Sequence, residues 1–214
     1  EGPARVAVDR HKLTGLLVYL MRDKETGMEH VVRLIEEPRG LLRRFAWRYS
    51  RKTFGEVVDP VRALAHHSGA LAANGLFEMV VGKRWRILDP HLRWLALQAT
   101  GSAIGCSWCT DFGYYEGMQT GVDPRKVRDV PRWRESEVYD ERERAVLEYA
   151  ESATATPAVI DDDLVKRLHA SFSDEEIVEL VCWVALENYR SRINAGLGLH
   201  SEGFAARCVL APAY

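Results

Sequence analysis

Two cysteines separated by two residues form the part of this sequence best suited to chemistry. Cys106 and Cys109 lie in the segment Gly105-Cys-Ser-Trp-Cys109. If a helix begins at Ser107, both side chains lie on one face of its first turn, close enough to form a disulfide. A helix N-terminus offers free N–H groups and the positive end of the dipole, which stabilise a thiolate. One thiolate can then attack a peroxide or a disulfide while the other cysteine resolves the intermediate.

Other uses of a Cys-x-x-Cys pair fit this sequence less well. A thioredoxin-like site would follow a strand, whereas a helical pattern precedes Cys106. A zinc site needs four ligands, and no second cysteine or histidine pair stands at ligand spacing. Cys182 lies among apolar residues and is interpreted as a core thiol, and Cys208 is a lone residue near the C-terminus. A redox pair is therefore favoured over a zinc site or inert thiols, and no metal or bound cofactor is expected.

Helix signals dominate the elements that must position these cysteines. Three Asp-Pro pairs precede apolar residues at helical spacing, and each predicts an N-cap followed by proline in the first turn: Asp59-Pro60, Asp89-Pro90 and Asp123-Pro124. Ser173 and Glu176 predict a capping box at the start of another helix. Residues 140–154 carry apolar side chains at helical spacing.

Strand signals are weak by comparison. Val6–Val8 and Val31–Leu34 are candidates, but both are too short to build a sheet. With 214 residues, of which 47% are hydrophobic, the chain can bury a sizeable core. The sequence predicts an all-α protein with an N-terminal helical arm over residues 1–56 and a helical core over residues 57–214.

Charge and hydropathy favour a cytoplasmic protein. The formal net charge of −2 gives no electrostatic reason to expect a nucleic acid or an anionic membrane as a partner. The basic residues between Arg39 and Lys52 are interpreted as a solvated helix face. The longest uncharged apolar runs, Gly15–Met21 and Leu180–Leu186, are far shorter than the ~20 residues of a spanning helix. Four cysteines are too few for a disulfide scaffold, which agrees with a reducing compartment.

Several segments resemble the carboxymuconolactone decarboxylase family, and in particular its AhpD-like members. The resemblance rests on Pro60–His67, Leu88–Arg93, Ile104–Phe112, Gly121–Asp123, Glu187–Asn194 and Gly198–Phe204. It implies an AhpD-like helical fold that assembles as homotrimers or hexamers, and a peroxidase or disulfide-reductase activity for members with both cysteines. It also assigns peroxide attack to Cys109 and resolution to Cys106, although the dipole favours a thiolate at Cys106.

The sequence departs from the AhpD-like pattern around the dithiol. That pattern implies a proton relay of one glutamate and two histidines, and here those three positions hold Trp94, Trp108 and Gly113. Glu116 lies seven residues after Cys109, on nearly the same helical face, and is predicted to replace the relay. His66 or His67 could face the dithiol from a neighbouring helix; the alternative is a packed or exposed histidine pair.

Other polar and aromatic residues offer weaker candidates. His200 follows a glycine-rich helix end and could cap it. Alternate polar residues on one helix cannot all line one site, so a structural role is favoured over binding of an anionic substrate for Asn188, Arg190, Arg192 and Asn194. Tyr114 and Tyr115 could wall an apolar pocket together with Trp108.

Three functions are compatible with these observations. The favoured one is a thiol-dependent oxidoreductase of the peroxiredoxin type, which reduces a small peroxide or disulfide with electrons from an external protein or small-molecule thiol. The second is a same-fold enzyme with different chemistry, such as lactone decarboxylation or a biosynthetic step; the resemblance argues against it, because decarboxylase members normally lack the cysteine pair. The third is a non-catalytic or redox-sensing helical oligomer.

Overall fold

The computed structural model describes residues 30–208, and helices account for most of this range. In chain order they are α1 (Leu41–Phe54), α2 (Asp59–Leu64), α3 (Ser68–Arg84), α4 (Pro90–Ile104), α5 (Ser107–Gln119), α6 (Pro124–Asp129), α7 (Glu141–Thr154), α8 (Asp162–Ser171) and α9 (Asp174–Gly196). Short 3₁₀ helices span Val130–Glu135 and Ala205–Arg207. No strand occurs in residues 30–208, so the all-α prediction is confirmed.

Three helices begin at capping residues that the sequence predicts. The Asp89 carboxylate accepts hydrogen bonds from the N–H groups of His91 and Leu92 at the start of α4, and Asp123 caps α6 in the same way. Helix α9 begins with a capping box in which Ser173 and Glu176 exchange hydrogen bonds with each other's backbone. Each cap satisfies N–H groups that the first helical turn leaves without a partner.

The predicted cap at Asp59 is wrong. Helix α2 begins at Asp59 itself, its N-cap is Val58, and no side chain caps it. The Asp59 carboxylate lies 3.7 Å from Arg62, one turn further along, and its N–H donates to the Glu202 carboxylate at 2.9 Å. The Asp59 side chain therefore accepts no N–H of the first turn, and its own N–H is bound by a residue 143 positions further along the chain.

Helix α4 lies at the centre of the main hydrophobic core. It packs against α5, α7 and α9, and it buries residues on every side of its axis: Leu92, Trp94, Leu95, Ala96, Gln98, Ala99, Thr100 and Gly101. A helix that is buried all round has neighbours all round. The dithiol helix α5 and the polar end of α9 are therefore held against one common helix.

The first described residues pack in a smaller cluster of their own. Helix α1 contacts α2 and α3, and the buried members of this cluster are Trp47, Val57, Ala65 and Leu71. The cluster spans residue 56, the predicted boundary between arm and core. Val31–Leu34 is not a strand, because the Val31 N–H bonds the Leu197 carbonyl at 3.0 Å rather than another strand. Val6–Val8 lies outside the described residues.

Candidate active site: a dithiol between two helices

The two cysteines lie at the start of α5, where the sequence predicts them. Helix α4 ends at Gly105, whose φ of 79° is a left-handed conformation that favours glycine. This turn places Cys106 as the N-cap of α5, and its sulfur accepts the N–H of Cys109 at 3.2 Å. The two sulfurs form a disulfide across a Cα–Cα distance of 5.3 Å. The pair is thus built into the first turn of one helix, at a Cα–Cα distance usual for a disulfide.

The two cysteines differ in exposure. Cys106 is buried, with 2% of its surface exposed, whereas Cys109 is half-buried. Cys109 is thus the more exposed residue of the pair. The helix dipole favours a thiolate at Cys106, but the exposure favours Cys109 as the sulfur that reacts with an external molecule.

Helix α9 supplies polar partners to Cys109. The Ser191 hydroxyl lies 3.2 Å from the Cys109 sulfur, and the Asn194 amide donates to the same sulfur at 3.4 Å. The same hydroxyl lies 2.8 Å from Oε1 of Glu187. Glu187, Ser191 and Asn194 are all buried, and their spacing of four and three residues places them on one face of α9. Two hydrogen-bond donors at one sulfur are suited to stabilise a thiolate there.

A charged network continues from Glu187 away from the sulfur. Burial raises the pKa of the Glu187 carboxyl, and the Arg190 guanidinium, 3.4 Å away, partly offsets that effect. Arg190 also donates two hydrogen bonds to Glu78 on α3, one of them at 2.8 Å. Because Arg190 also pairs with Glu78, its positive charge compensates the Glu187 carboxylate only in part.

Gly101 allows the three helices to approach. A Cβ at this position of α4 would lie 3.3 Å from the Cys109 Cβ and 3.9 Å from the Glu187 carboxylate. A larger side chain would push α4 away from both groups. The glycine therefore sets the distance between the dithiol and the carboxylate.

One and two turns beyond Cys109, the contact of α5 with α4 is packed rather than polar. The Trp94 indole donates to the Gly113 carbonyl at 2.9 Å, and its ring lies where a Cβ of Gly117 would come within 2.5 Å. The Gln98 amide likewise lies 2.2 Å from the position of a Cβ at Gly113. Trp94 and Gly113 stand at two of the three positions where the AhpD-like resemblance implies relay residues. Here these positions pack against each other, with a large residue on α4 and small residues on α5.

Trp108, at the third relay position, is tied to the C-terminal segment. Its indole donates to Glu202 at 2.6 Å, and its ring stacks on Phe112 with centroids 5.3 Å apart. Phe204 and Tyr115 complete an aromatic cluster with these two rings, whereas Tyr114 is buried in the main core. An aromatic wall of a pocket at the dithiol stays a prediction.

Glu116 lies on the face of α5 that approaches α9, but further along the helix. Seven residues correspond to about 10 Å along a helix axis, so Glu116 cannot bond the Cys109 sulfur directly. Burial raises the pKa of its carboxyl, and the charges of Arg93 and Arg190 oppose that rise. A relay through Glu116 stays a prediction, and Glu187 is the carboxylate that reaches Cys109 through one hydroxyl.

The structure does not bring His66 and His67 to the dithiol. Both are exposed. His66 bonds the Arg33 carbonyl at 2.6 Å, and His67 is the N-cap of α3, where its ring accepts the Ala70 N–H at 3.0 Å. The alternative of an exposed histidine pair describes them, because local capping and a loop contact already use their ring nitrogens. His200 stacks near His30, with ring centroids 6.3 Å apart.

Glu187 and Ser191 are site residues that were not predicted from the sequence. Asn188 and Arg192 bond other partners than the sulfur, in agreement with the prediction that the polar residues of α9 do not all line one site. The spacing of Glu187, Ser191 and Asn194 gives one polar stripe at helical period and was the available signal. Cys182, interpreted as a core thiol, is only partly buried.

Comparison with known proteins agrees with the arrangement of a dithiol between helices. Residues 64–152, which include both cysteines, match the model of the carboxymuconolactone decarboxylase family. The segment that carries the dithiol therefore matches this family. The uncharacterized protein YnjA of Escherichia coli (strain K12) is 29% identical over 163 residues, which cover 76% of this chain and 89% of YnjA.

Solved structures share the helical fold over most of the chain. The debrominase Bmp8 superposes with a TM-score of 0.70 at 22% identity, covering 83% of this chain and 95% of its own. The alkylhydroperoxidase AhpD core of a peroxidase-related protein from Ralstonia eutropha JMP134 gives a TM-score of 0.68 at 17% identity, covering 81% and 96%. At these identities the likeness extends to the fold, which both kinds of protein share.

Within residues 30–208, no group of three or more histidine, cysteine, aspartate or glutamate side chains has the arrangement of a metal site. In the same range, no helix combines the length and the apolar character that a membrane span requires.

Proposed function

We propose that the protein is a thiol-dependent oxidoreductase that reduces a small peroxide or disulfide through Cys109 and Cys106. The observation that supports this most strongly is the asymmetry of the pair. Cys109 is the more exposed residue and has two hydrogen-bond donors from α9 at its sulfur, whereas Cys106 is buried at the helix N-terminus. One sulfur is thus suited to attack and the other to resolve.

The proposed cycle begins with both cysteines reduced. The Cys109 thiolate attacks one peroxide oxygen, an S–O bond forms, the O–O bond breaks, and the alcohol leaves after it takes up a proton. Cys106 then attacks the Cys109 sulfur and releases water as the disulfide forms. An external dithiol returns two electrons and two protons, which restores the starting state. A cytoplasmic location with a protein or small-molecule thiol as the electron donor belongs to this proposal.

Turnover of tert-butyl hydroperoxide with excess dithiothreitol tests the proposal. We expect wild type to consume peroxide above the background rate. Cys109→Ser and Cys106→Ser should abolish turnover, while the control Cys182→Ser should retain it, because Cys182 is distant in sequence and is not part of the disulfide. A Cys109→Ser variant with wild-type turnover would contradict the proposal.

A second candidate is reductive dehalogenation of an aromatic substrate. Two thiols would supply two electrons, the carbon–halogen bond would be replaced by carbon–hydrogen, and the halide and a disulfide would be the products. A cysteine-to-alanine variant of the debrominase Bmp8 has been crystallised with 2,3,4-tribromopyrrole. Trp108, which lies between the two cysteines in sequence, and its aromatic neighbours Phe112 and Tyr115 are suited to contact a flat apolar substrate. Bromide release from that pyrrole by reduced wild type, and its absence in Cys109→Ser, would support this candidate over peroxide reduction.

Assembly as a homotrimer or hexamer is also part of the proposal. Three apolar side chains on α3, Leu76, Phe77 and Val80, are 60%, 43% and 47% exposed in the single chain. Contact between copies would cover such a face. Light scattering at micromolar concentration should report a multiple of three chains, and a monomer would contradict it.

A further inference from the structure

One hydroxyl lies between the reactive sulfur and a buried carboxyl. The Ser191 oxygen is 3.2 Å from the Cys109 sulfur and 2.8 Å from Glu187 Oε1, and it is fully buried. A serine hydroxyl has a single proton. It can be donated to the sulfur or to the carboxylate, but not to both at once.

This single proton couples the ionisation of the two end groups. If Cys109 is a thiolate, Ser191 donates to it and needs a proton from Glu187 to satisfy its own oxygen. If Glu187 is ionised, Ser191 donates to the carboxylate and accepts the proton of the Cys109 thiol. The two arrangements differ by the transfer of one proton along Cys109, Ser191 and Glu187.

We propose that Ser191 and Glu187 form the proton relay of Cys109. In the step, the S–H bond of Cys109 breaks and its proton passes to the Ser191 oxygen. The former hydroxyl proton of Ser191 moves to Glu187 Oε1. No electrons are transferred, and the products are a thiolate at Cys109 and a neutral carboxyl at Glu187. This inference rests on the proposed function, because it supplies the attacking thiolate, and it places the relay on α9.

The charges around Glu187 keep both of its protonation states accessible. Burial favours the neutral carboxyl and raises its pKa, and the Arg190 guanidinium favours the carboxylate. Glu78 from α3 shares Arg190, and Glu116 from α5 also lies within the field of Arg190. Arg93 on α4, like Arg190, favours the charged form of Glu116. A carboxyl with these opposing influences can both accept and return a proton.

A second buried glutamate on the same helix provides a matched control. Glu179 is 7% exposed, and its carboxylate accepts the N–H groups of Ile87 and Leu88 and the Trp183 indole. It connects α9 to the loop before α4 and does not contact the dithiol. Glu179→Gln therefore removes a buried charge without touching the proposed relay.

The test measures how fast Cys109 is alkylated by iodoacetamide between pH 5 and 10. All variants are built on Cys106→Ser with Cys182→Ser and Cys208→Ser, so that Cys109 is the sole thiol, and circular dichroism checks the fold. The relay predicts that Glu187→Gln shifts the midpoint of alkylation down by about one pH unit. The glutamine amide can donate a hydrogen bond to the Ser191 oxygen, and the Ser191 hydroxyl then donates to the Cys109 thiolate. The rate of alkylation at pH 7 should therefore rise up to about tenfold.

Catalysis should change in the opposite direction. With both native cysteines present, Glu187→Gln should lower peroxide turnover at least about tenfold, since glutamine cannot return the relayed proton to the departing alkoxide. A purely structural role would not make alkylation faster and turnover slower. Glu179→Gln should leave the alkylation midpoint unchanged.

Ser191→Ala provides a second, independent test. It should shift the alkylation midpoint up, because the hydroxyl donor to the thiolate is gone. In its presence, Glu187→Gln should have a smaller effect than in wild type, as a double-mutant cycle measures. If Glu187→Gln and Ser191→Ala both leave the midpoint where Glu179→Gln leaves it, the relay is wrong even if the enzyme turns over peroxide. Shifted midpoints without peroxide turnover in wild type would instead support the relay and contradict the proposed function.

Discussion

Helix α5 makes two contacts that serve different purposes. Toward α4, the helix contacts Trp94 and Gln98, and two glycines make room for them. Toward α9, the same helix presents the Cys109 sulfur to a hydroxyl, an amide and, through the hydroxyl, a carboxyl. The contact with α4 is filled by close packing, and the contact with α9 is a polar network around the reactive atom.

This difference shows how a site can change without a change of fold. The AhpD-like pattern implies relay residues at positions that here hold Trp94, Trp108 and Gly113. The structure replaces them by packing and by a bond to Glu202, and the groups able to handle a proton lie on α9 instead. The dithiol stays at the start of α5, where the helix N-terminus serves it in either arrangement.

The largest expected effect is a loss of stability where α5 packs against α4. A Cβ at Gly117 would lie 2.5 Å from the Trp94 ring, which is rigid and held by its own hydrogen bond. Gly117→Ala should therefore lower the free energy of unfolding by about 3 kcal/mol, measured by urea titration. Gly113→Ala should cost less, because the Gln98 amide that it meets is the end of a flexible side chain.

Glycines on α3 give the control for this comparison. A Cβ at Gly75 or Gly82 has no neighbour within 4 Å, so Gly75→Ala should raise stability by up to about 1 kcal/mol through the helix preference of alanine. Equal stabilities of Gly117→Ala and Gly75→Ala would show that the side facing α4 is not tightly packed.

Asn194→Asp, where α9 meets the Cys109 sulfur, should have a smaller effect. The change keeps the shape of the side chain but replaces the donor at the Cys109 sulfur with a carboxylate. The charge disfavours a thiolate, so alkylation of Cys109 at pH 7 should slow by about tenfold, or about 1.4 kcal/mol. Asn188→Asp is the matched control on the same helix, because Asn188 bonds Thr154 and not the sulfur. Equal rates in the two variants would remove Asn194 from the site.

Two buried glutamates should respond to pH with opposite signs. Burial opposes the charge of Glu143, but hydrogen bonds from His91 and Lys126 outweigh it and lower its pKa to about 2. Its stabilising contribution is present above the unfolded pKa of about 4.3 and is lost as the pH falls towards 2. Burial raises the pKa of Glu187, so its contribution is present below about pH 4.3 and is lost as the pH rises.

Urea titrations between pH 3 and 8 check these signs. Glu143→Gln should be less stable than wild type at pH 7, and the difference should shrink as the pH falls. Glu187→Gln should match wild type most closely at low pH and gain relative stability as the pH rises, with a slope below about 1.4 kcal/mol per pH unit. Parallel curves for the two variants would contradict the assigned directions.

Local signals in the sequence predicted local structure well. Asp89, Asp123 and Ser173 cap helices as expected, because an N-cap is made by groups within three residues. The position of Cys106 and Cys109 in the first turn of a helix follows from the same kind of signal. Asp59 was the exception, since it is itself the first residue of the helix and its carboxylate lies near Arg62.

Contacts between distant segments could not be predicted in the same way. Ser191 and Cys109 are 82 residues apart, and their contact depends on how α9 packs on α4 and α5. Helical spacing could have shown that Glu187, Ser191 and Asn194 share a face, but not that this face meets the dithiol. Likewise, Gly113 and Gly117 carry no functional group, and their role follows from contacts with the Gln98 and Trp94 side chains of another helix.

The central claim is that Cys109, supported by α9, is the sulfur that reacts first. Its most direct test is mass-spectrometric mapping of a dimedone adduct after one equivalent of hydroperoxide is added to reduced Cys106→Ser and Cys109→Ser proteins. Dimedone traps the sulfenic acid that remains when the resolving partner is absent. We predict an adduct on Cys109 in Cys106→Ser and little or none on Cys106 in Cys109→Ser. An adduct on Cys106 in Cys109→Ser, with none on Cys109 in Cys106→Ser, would contradict the account.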